Sequence, residues 1–471
     1  MTGIWRNYVL LSSVVLLSVL FSIKTVHAAP KGAVCLVRAD NSLVMVKEIL
    51  TEKWSLPAGT IAVDEPPQQA AQREVWEETG LVVTVGKELG HSESAVFFDC
   101  VADSDLIAFG QQDKDGGHVL PIWFAPHYGI EIAHAHLIDP FSIEAEVYRY
   151  PAEWHFIQDL YLKATEQPVS YVESLAEAAP SFHQLELPWI AKFQSWLRFS
   201  DSPPLTLISS LLLGGLMLSS PWWLLLLPIC YSQLGRDFAF KLIFTLIFGA
   251  LVVQLGKVGF QLPRPFVYQP SLNLAQQVGY GLPSLSVTLW TIGFAMVGNQ
   301  LGLKGWNRFS FINTIVLLWL VVALFYSAST FLIDSLTGLL FGWLCAWHMS
   351  RLDTKIGEKS QQLFVGKGVW LMLSVLSGIF AFLWQTPQLL GLALVSCAFL
   401  LSVFAFELPK IISAKAGVIL SAVLAAVCFA FVLLHSMVDT SNFYSLLVKV
   451  LLLPSLVIVS TVYLRMVNMS K

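Results

Sequence analysis

Between residues 204 and 466 the chain is a series of apolar runs, while residues 30–200 mix short apolar segments with polar turns. Nine of the later runs approach the roughly 20 residues that cross a bilayer as a helix. They lie near 205–232, 238–256, 283–300, 310–329, 331–350, 369–386, 388–406, 416–437 and 443–464. The first is long and contains Pro221, so it reads as one span or as two shorter pieces. In the polar half, β-rich runs predict strands at "GAVCLVRA", "SLVMVKEI", "LVVTVGKEL", "AVFFDCVA" and "VLPIWFAP". Between the second and third the pattern takes a helical period. "PPQQAAQREVWEETG" has prolines in its first turn and Gly80 where a helix would stop. Ala70, Ala71 and Val75 can face a sheet, and Glu74, Glu77 and Glu78 share another face at i, i+3 and i+4.

The flanks of these halves have patterns of their own. Residues 1–29 carry one arginine, an apolar run from Tyr8 to Ile23, and small residues at Val26-His27-Ala28-Ala29. This is either a cleaved secretory signal or a retained N-terminal anchor, and both export the domain downstream. Residues 166–203 read as a linker. Within it "LPWIAKFQSWLRF" places Trp189, Phe193, Trp196 and Leu197 at helical spacing, with Lys192 and Arg198 beside them. That is an interfacial helix or an amphipathic helix packed on the exported domain.

Composition sharpens this division. The chain has 471 residues, 55% hydrophobic and only 13% charged, where a soluble domain has about 25% charged residues. The change of polarity puts the main boundary near Pro203-Pro204. The net charge of −4, without a basic block, gives no indication of nucleic acid as a partner. If the first apolar run crosses once, Arg236, Lys304, Arg308, Arg351, Lys355, Lys359, Lys367, Lys410, Lys415, Arg465 and Lys471 all fall on the inner side. That obeys the positive-inside rule and leaves the C-terminus in the cytoplasm. One outer loop, with Lys257 and Arg264, breaks the pattern.

The carboxylates are the candidate chemistry of the exported half. Three adjacent glutamates repel one another unless a cation sits among them, and hard oxygen ligands suit Mg²⁺ or Mn²⁺. Arg73 can pair with Glu77 one turn on. Residues 59–81, "GTIAVDEPPQQAAQREVWEETGL", resemble the Nudix box at each fixed position: Gly59, Glu65, Arg73, Glu74, Val75, Glu77, Glu78, Gly80 and Leu81. Just before it, Ala58 stands where the family usually has glycine. The resemblance implies an α/β sandwich, a mixed sheet between helices, over residues 30–165. It also implies metal-dependent hydrolysis of a diphosphate linkage. By the same resemblance Glu77 and Glu78 would ligate the metal with the Gly59 carbonyl. Glu74 would be a ligand or the base, and Arg73 and Glu65 would orient the cluster. Some members use a further acid, for which Asp103, Asp105, Asp113, Asp115 and Glu131 are the candidates.

Cys35 and Cys100 are the only cysteines outside the apolar spans. They are either a disulfide or two small buried residues in separate strands.

"KVGFQLPRP" (257–265) resembles the first motif of type-2 phosphatidic acid phosphatases, Lys-x6-Arg-Pro. That likeness covers residues 204–350 of an all-α polytopic membrane domain, with additional transmembrane helices over 351–471. It is degenerate. Where the family has Pro-Ser-Gly-His, this chain has Pro283-Ser284-Leu285-Ser286. In the third motif Asp334 remains, the arginine is Leu324 and the nucleophilic histidine is Thr330. Serine and threonine have no group titrating near neutral pH to attack phosphorus or protonate a leaving group. Lys257, Arg264 and Asp334 are left as phosphate-binding candidates, or as relics in a multi-span anchor. His435 and Asp439 keep a His-x3-Asp spacing, which reads as chance.

The expectation is a diphosphatase tethered to a bacterial inner membrane, its Nudix domain on the extracytoplasmic face. Its substrate would be a diphosphate compound, free or lipid-linked. The alternatives are a two-step lipid diphosphate/phosphate phosphatase and a non-catalytic lipid-phosphate-binding scaffold.

Overall fold

The computed structural model describes residues 32–114, 116–198, 203–303, 305–357 and 362–469. The signal or anchor at 1–29 and residues Asp115, Lys304, Lys359 and Lys471 lie outside the described residues. The strands β1 (Gly32–Leu36), β2 (Arg38–Ala39), β3 (Ser42–Glu48), β4 (Trp54–Ser55) and β5 (Ala58–Thr60) precede helix α1 (Pro67–Thr79). Then come β6 (Val83–His91), β7 (Ala95–Ala102), β8 (Leu106–Phe109), β9 (His118–Val119) and β10 (Ile132–Ile138). Helix α2 (Trp154–Tyr161), β11 (Glu166–Gln167) and β12 (Val169–Val172) complete this half.

Strand alternation sends neighbouring residues into two cores. Ala33 and Cys35 of β1, with Val44 and Val46 of β3, pack against Ala70, Ala71 and Val75 of α1. Val34, Leu36, Leu43 and Met45 point the other way, to Trp154, Ile157 and Leu160 of α2. Both faces are therefore covered by helices. One sheet has the order β5-β1-β7-β6, with β1 and β7 parallel, and a second runs β11-β2-β3-β10-β9 with β4 beside β3.

Four of the five expected strands form. In "VLPIWFAP" only its first residue lies in a strand, β9, and turns replace the rest. Pro121 has no N–H to give a ladder, and Pro126 repeats the interruption. The strand that occupies the place, β10 ("IAHAHLI"), has few of the bulky β-branched residues that mark strands.

The expected linker is more structured than its composition implies. β11 pairs with β2 and β12 with β8, both parallel, so this segment completes the soluble domain. Helix α3 (Ser181–Arg198) then serves two surfaces. His183, Leu187, Ile190 and Gln194 are buried, while Phe182, Leu185, Trp189 and Trp196 are exposed. Gln194 Nε2 donates to the carbonyls of Leu272 (2.8 Å) and Tyr326 (2.7 Å). Phe193 packs edge-on to Tyr326 and Leu197 is buried, so only the tryptophans of the expected stripe face outward.

The apolar half contains α4 (Pro203–Gly214), α5 (Leu227–Leu234), α6 (Arg236–Phe260), α7 (Leu285–Gln300) and α8 (Arg308–Tyr326). It continues with α9 (Leu332–Ile356), α10 (Lys367–Trp384), α11 (Pro387–Ala405), α12 (Ala414–Met437) and α13 (Asn442–Met469). Seven of these helices, α6 and α8–α13, are long and apolar enough to cross a membrane, which suggests a membrane protein. The first expected span is a pair bent by 66° around Pro221. The third, α7, has 16 residues, about 24 Å of helix and short for a full crossing. One core cluster runs from Tyr231 to Leu464, so packing is continuous across the expected boundary at 350.

The helix ends separate into two sides. On one, the Tyr231 hydroxyl donates to the Pro409 carbonyl, and the Arg236 N–H to the Lys410 carbonyl (2.8 Å). On the other sits the soluble domain. Tyr128 meets Tyr280 edge-on, and Trp123 meets Tyr268. Lys449 donates to the Ile49 carbonyl (2.6 Å), and Lys53 pairs with Asp439 at 3.3 Å. The His435 ring contacts the Leu50 carbonyl at 3.0 Å. His435 and Asp439, unexplained by the sequence, thus hold the soluble domain to the helices.

Candidate active site

Two glycines build the cluster. Gly80 ends α1 at φ 74°, a left-handed conformation, and its N–H donates to the Trp76 carbonyl (2.9 Å). Gly59 lies on β5 directly under Glu74, and a Cβ there would overlap the Glu74 carboxylate. Gly59→Ala is therefore expected to displace Glu74 and cut hydrolysis roughly 10²-fold, with the fold kept. Wild-type kcat/KM in that variant would show that the position of Glu74 does not matter.

Arg73 is the hub. Its Nε donates to Glu65 Oε1 (2.9 Å), and one terminal nitrogen donates to Glu74 Oε1 (2.6 Å) and Glu77 Oε2 (2.9 Å). The other reaches Glu65 Oε2 (3.1 Å) and the Thr60 carbonyl (3.2 Å). Arg73 and the Ala62 N–H hold the Glu65 carboxyl down at about 2. Burial pushes Glu74 above the usual carboxylate range, against the pull of Arg73. Glu78 is pushed up further, by burial and then by the neighbouring Glu74 and Glu48, although the Ala58 N–H donates to it (3.1 Å). One arginine stands among four carboxylates, so the site favours a further positive charge.

His127 joins this cluster, a residue that the sequence did not single out. The turn after Pro126 brings its N–H to the Glu77 carbonyl (2.8 Å). Ligand atoms of Glu74, Glu77 and His127 all lie within 4.8 Å of one another. This carboxylate and imidazole set fits a divalent cation. Glu78 is outside that group and faces Ala58.

Glu48 and Arg149, which no sequence pattern marks, also line the cleft. Buried Glu48 accepts from Arg149 (2.6 Å) and from the Thr51 hydroxyl (2.9 Å). Asn442 of α13, with its amide nitrogen toward Glu48, donates to Oε2 at 2.8 Å and accepts from Arg149 at 3.3 Å. Of the acids proposed from sequence, Glu131 lines the cleft, whereas Asp103, Asp105 and Asp113 do not. Asp103 accepts from the Thr84 hydroxyl (2.6 Å), and Asp113 faces His136 at 3.5 Å. The cleft holds about 690 Å³, ordinary for a small-molecule site. One wall carries the carboxylates, and the other includes Pro387, Leu390, Phe443 and Leu446 of the membrane half.

The second set of candidates also converges. Lys257 Nζ donates to the Tyr280 carbonyl (2.6 Å). Arg264 donates to the carbonyls of Gly279 (3.1 Å) and Ser329 (2.5 Å). Asp334 accepts from the Phe331 N–H (2.9 Å). Both cations thus bind backbone, and Gly129 of the soluble domain presses on Gly279 above them. Thr330 lies 3.4 Å from the Ser335 hydroxyl. Cys35 and Cys100 are joined as a disulfide between β1 and β7, with Cα atoms 5.7 Å apart.

Comparison with known proteins bears on the soluble half. Residues 29–166 match the model of the NUDIX domain. The MutT-like protein of Streptomyces ambofaciens is 41% identical over 54 residues, 12% of this chain and 35% of that protein. Phosphatase NudJ of Escherichia coli (strain K12) is 43% identical over 49 residues, 10% of this chain and 32% of that protein. The chain thus spans about a third of the length of these relatives. Nudix hydrolases act on diphosphate-containing substrates and generally use a divalent metal such as Mg²⁺ or Mn²⁺. The matched domain, with its relatives, supports a Nudix hydrolase over residues 29–166.

Proposed function

We propose that the chain is a metal-dependent, membrane-tethered diphosphatase, its Nudix domain on the extracytoplasmic face of a bacterial inner membrane. The observation that carries this is the Arg73-centred carboxylate cluster in a cleft closed on one side by membrane helices. Glu74, Glu77 and His127 would hold the metal, with Glu78 and the Gly59 carbonyl as further ligands. A bound divalent ion would offset the diphosphate charge and make water a better nucleophile. Arg73 fixes Glu74 and Glu77 on the cleft wall. Since Arg73 takes Glu74 Oε1, Oε2 is the atom left to face the metal.

Lys257, Arg264 and Asp334 we read as holding the 278–281 loop beneath the soluble domain rather than a phosphate. Ser286 and Thr330 supply no acid or nucleophile in place of the histidines. We therefore assign no phosphatase step to this half, which serves as anchor and seat.

The test is purified full-length protein with nucleotide sugars, dinucleotides and prenyl diphosphates. At least one class is hydrolysed with Mg²⁺ or Mn²⁺ and none in excess chelator; undiminished turnover in chelator overturns the metal requirement. Orientation is read separately. Alkaline phosphatase fused after residue 186 is expected to be active, and fused after Lys471 inactive. The reverse pattern would put the Nudix domain in the cytoplasm.

A further inference from the structure

We infer, building on that reading, that the substrate is an amphiphile: a diphosphate joined to a long hydrocarbon chain. Its headgroup lies at the carboxylates and its chain in the apolar groove beside the first turns of α11 and α13. The cleft is continuous from Glu74 and Glu77 to Pro387, Leu390, Phe443 and Leu446. These four residues begin two apolar helices long enough to cross a membrane, so the groove leads from the reacting groups toward the bilayer interior. Phe443 stays 57% exposed although it lines the cleft, which leaves apolar surface for a chain to cover. A water-soluble diphosphate ester gains nothing from that wall, whereas each methylene laid along it adds to binding.

The soluble domain is also set for this geometry. The turn from β3 to β4 is held by Lys449 on the Ile49 carbonyl, His435 on the Leu50 carbonyl and Asp439 on Lys53. Asn442, one residue before Phe443, bonds to the Glu48–Arg149 pair in the cleft. The apolar groove is thereby fixed relative to the acids, and a headgroup at the membrane surface needs no extraction to reach them.

The reaction balances as a hydrolysis. Water adds to one phosphorus, the bridging P–O bond of the anhydride breaks, and the proton of water passes to a base and then to solvent. The products are a lipid monophosphate and the other phosphate or its ester. Prenyl and glycerolipid diphosphates share this chemistry.

The experiment gives full-length protein in detergent with Mg²⁺ a series of prenyl diphosphates of rising chain length, a diacylglycerol-linked diphosphate and a nucleotide sugar. We expect kcat/KM to rise at least about ten-fold from the shortest to the longest chain. The steeper of the prenyl and glycerolipid arms identifies the source. In the double variant Phe443→Asp with Leu446→Asp the dependence on chain length should flatten. Phe443→Leu with Leu446→Met should keep it, which separates loss of the groove from misfolding. Equal turnover at all chain lengths, or turnover of the nucleotide sugar alone, overturns the inference and leaves the diphosphatase reading intact. Failure to hydrolyse any diphosphate overturns both.

Discussion

Glu77→Gln is expected to lower diphosphate hydrolysis roughly 10²-fold or more, about 3 kcal/mol of transition-state stabilisation. The change is isosteric, so the fold and the cleft should persist. It removes one negative charge from the group formed with Glu74 and His127 and leaves Arg73 only a neutral acceptor there. A neutral amide at that point is a weaker ligand for a hard cation and no longer balances the guanidinium. The loss should lie mainly in kcat, with a raised metal requirement that excess Mg²⁺ only partly recovers. Glu78→Gln tests a different contribution. Glu78 is buried and bonded to the Ala58 N–H, so its replacement also disturbs the loop before Gly59. Wild-type activity in Glu77→Gln would remove the carboxylate face from the reaction.

The local pattern of the box translated directly into structure. Spacing alone put Glu74, Glu77 and Glu78 on one helical face and Ala70, Ala71 and Val75 on another, and α1 has both faces. Gly80 stops the helix for the reason its residue type predicts. Residues that join the site through tertiary contact were not legible. His127 lies 50 residues after Glu77, in a turn that follows an apolar run resembling a strand. Glu48 and Arg149 are 101 residues apart and meet only because β3 and the segment before α2 cross at the cleft. Asn442 comes from the far end of the chain, and no periodicity marks it.

The membrane half shows the same division. Length and apolarity located the helices, and the bend at the first span agrees with Pro221. What the sequence did not show was which backbone groups its side chains meet. Lys257 and Arg264 are the cations of an otherwise uncharged loop. In the fold Lys257 Nζ donates to the Tyr280 carbonyl and Arg264 to those of Gly279 and Ser329, and Gly129 of the soluble domain lies against Gly279. Backbone carbonyls are acceptors at every position, so a sequence cannot show which of them meets a given side chain.

Cys35→Ala with Cys100→Ala is expected to destabilise the soluble domain by about 4 kcal/mol. The bridge closes a loop with a sequence separation of 65 and so removes conformations from the unfolded chain. Both cysteines are fully buried between the sheet and α1, so the alanines add small cavities to that loss. Single domains are stable by only about 5–15 kcal/mol, so much of the margin would go. In full-length protein the midpoint for thermal loss of hydrolysis should fall by roughly 10 °C or more, and a shift within a degree or two would show that the bond carries little. The same cysteines report on sidedness. A buried bridge between β1 and β7 must form as the domain folds, and a reducing cytosol would leave two thiols instead. Protein taken from cells with alkylation of free thiols under denaturing conditions should therefore leave Cys35 and Cys100 unlabelled until a reductant is added. Labelling of both without reductant would place the domain in the cytosol, and with it the cleft, the carboxylates and the membrane face they meet.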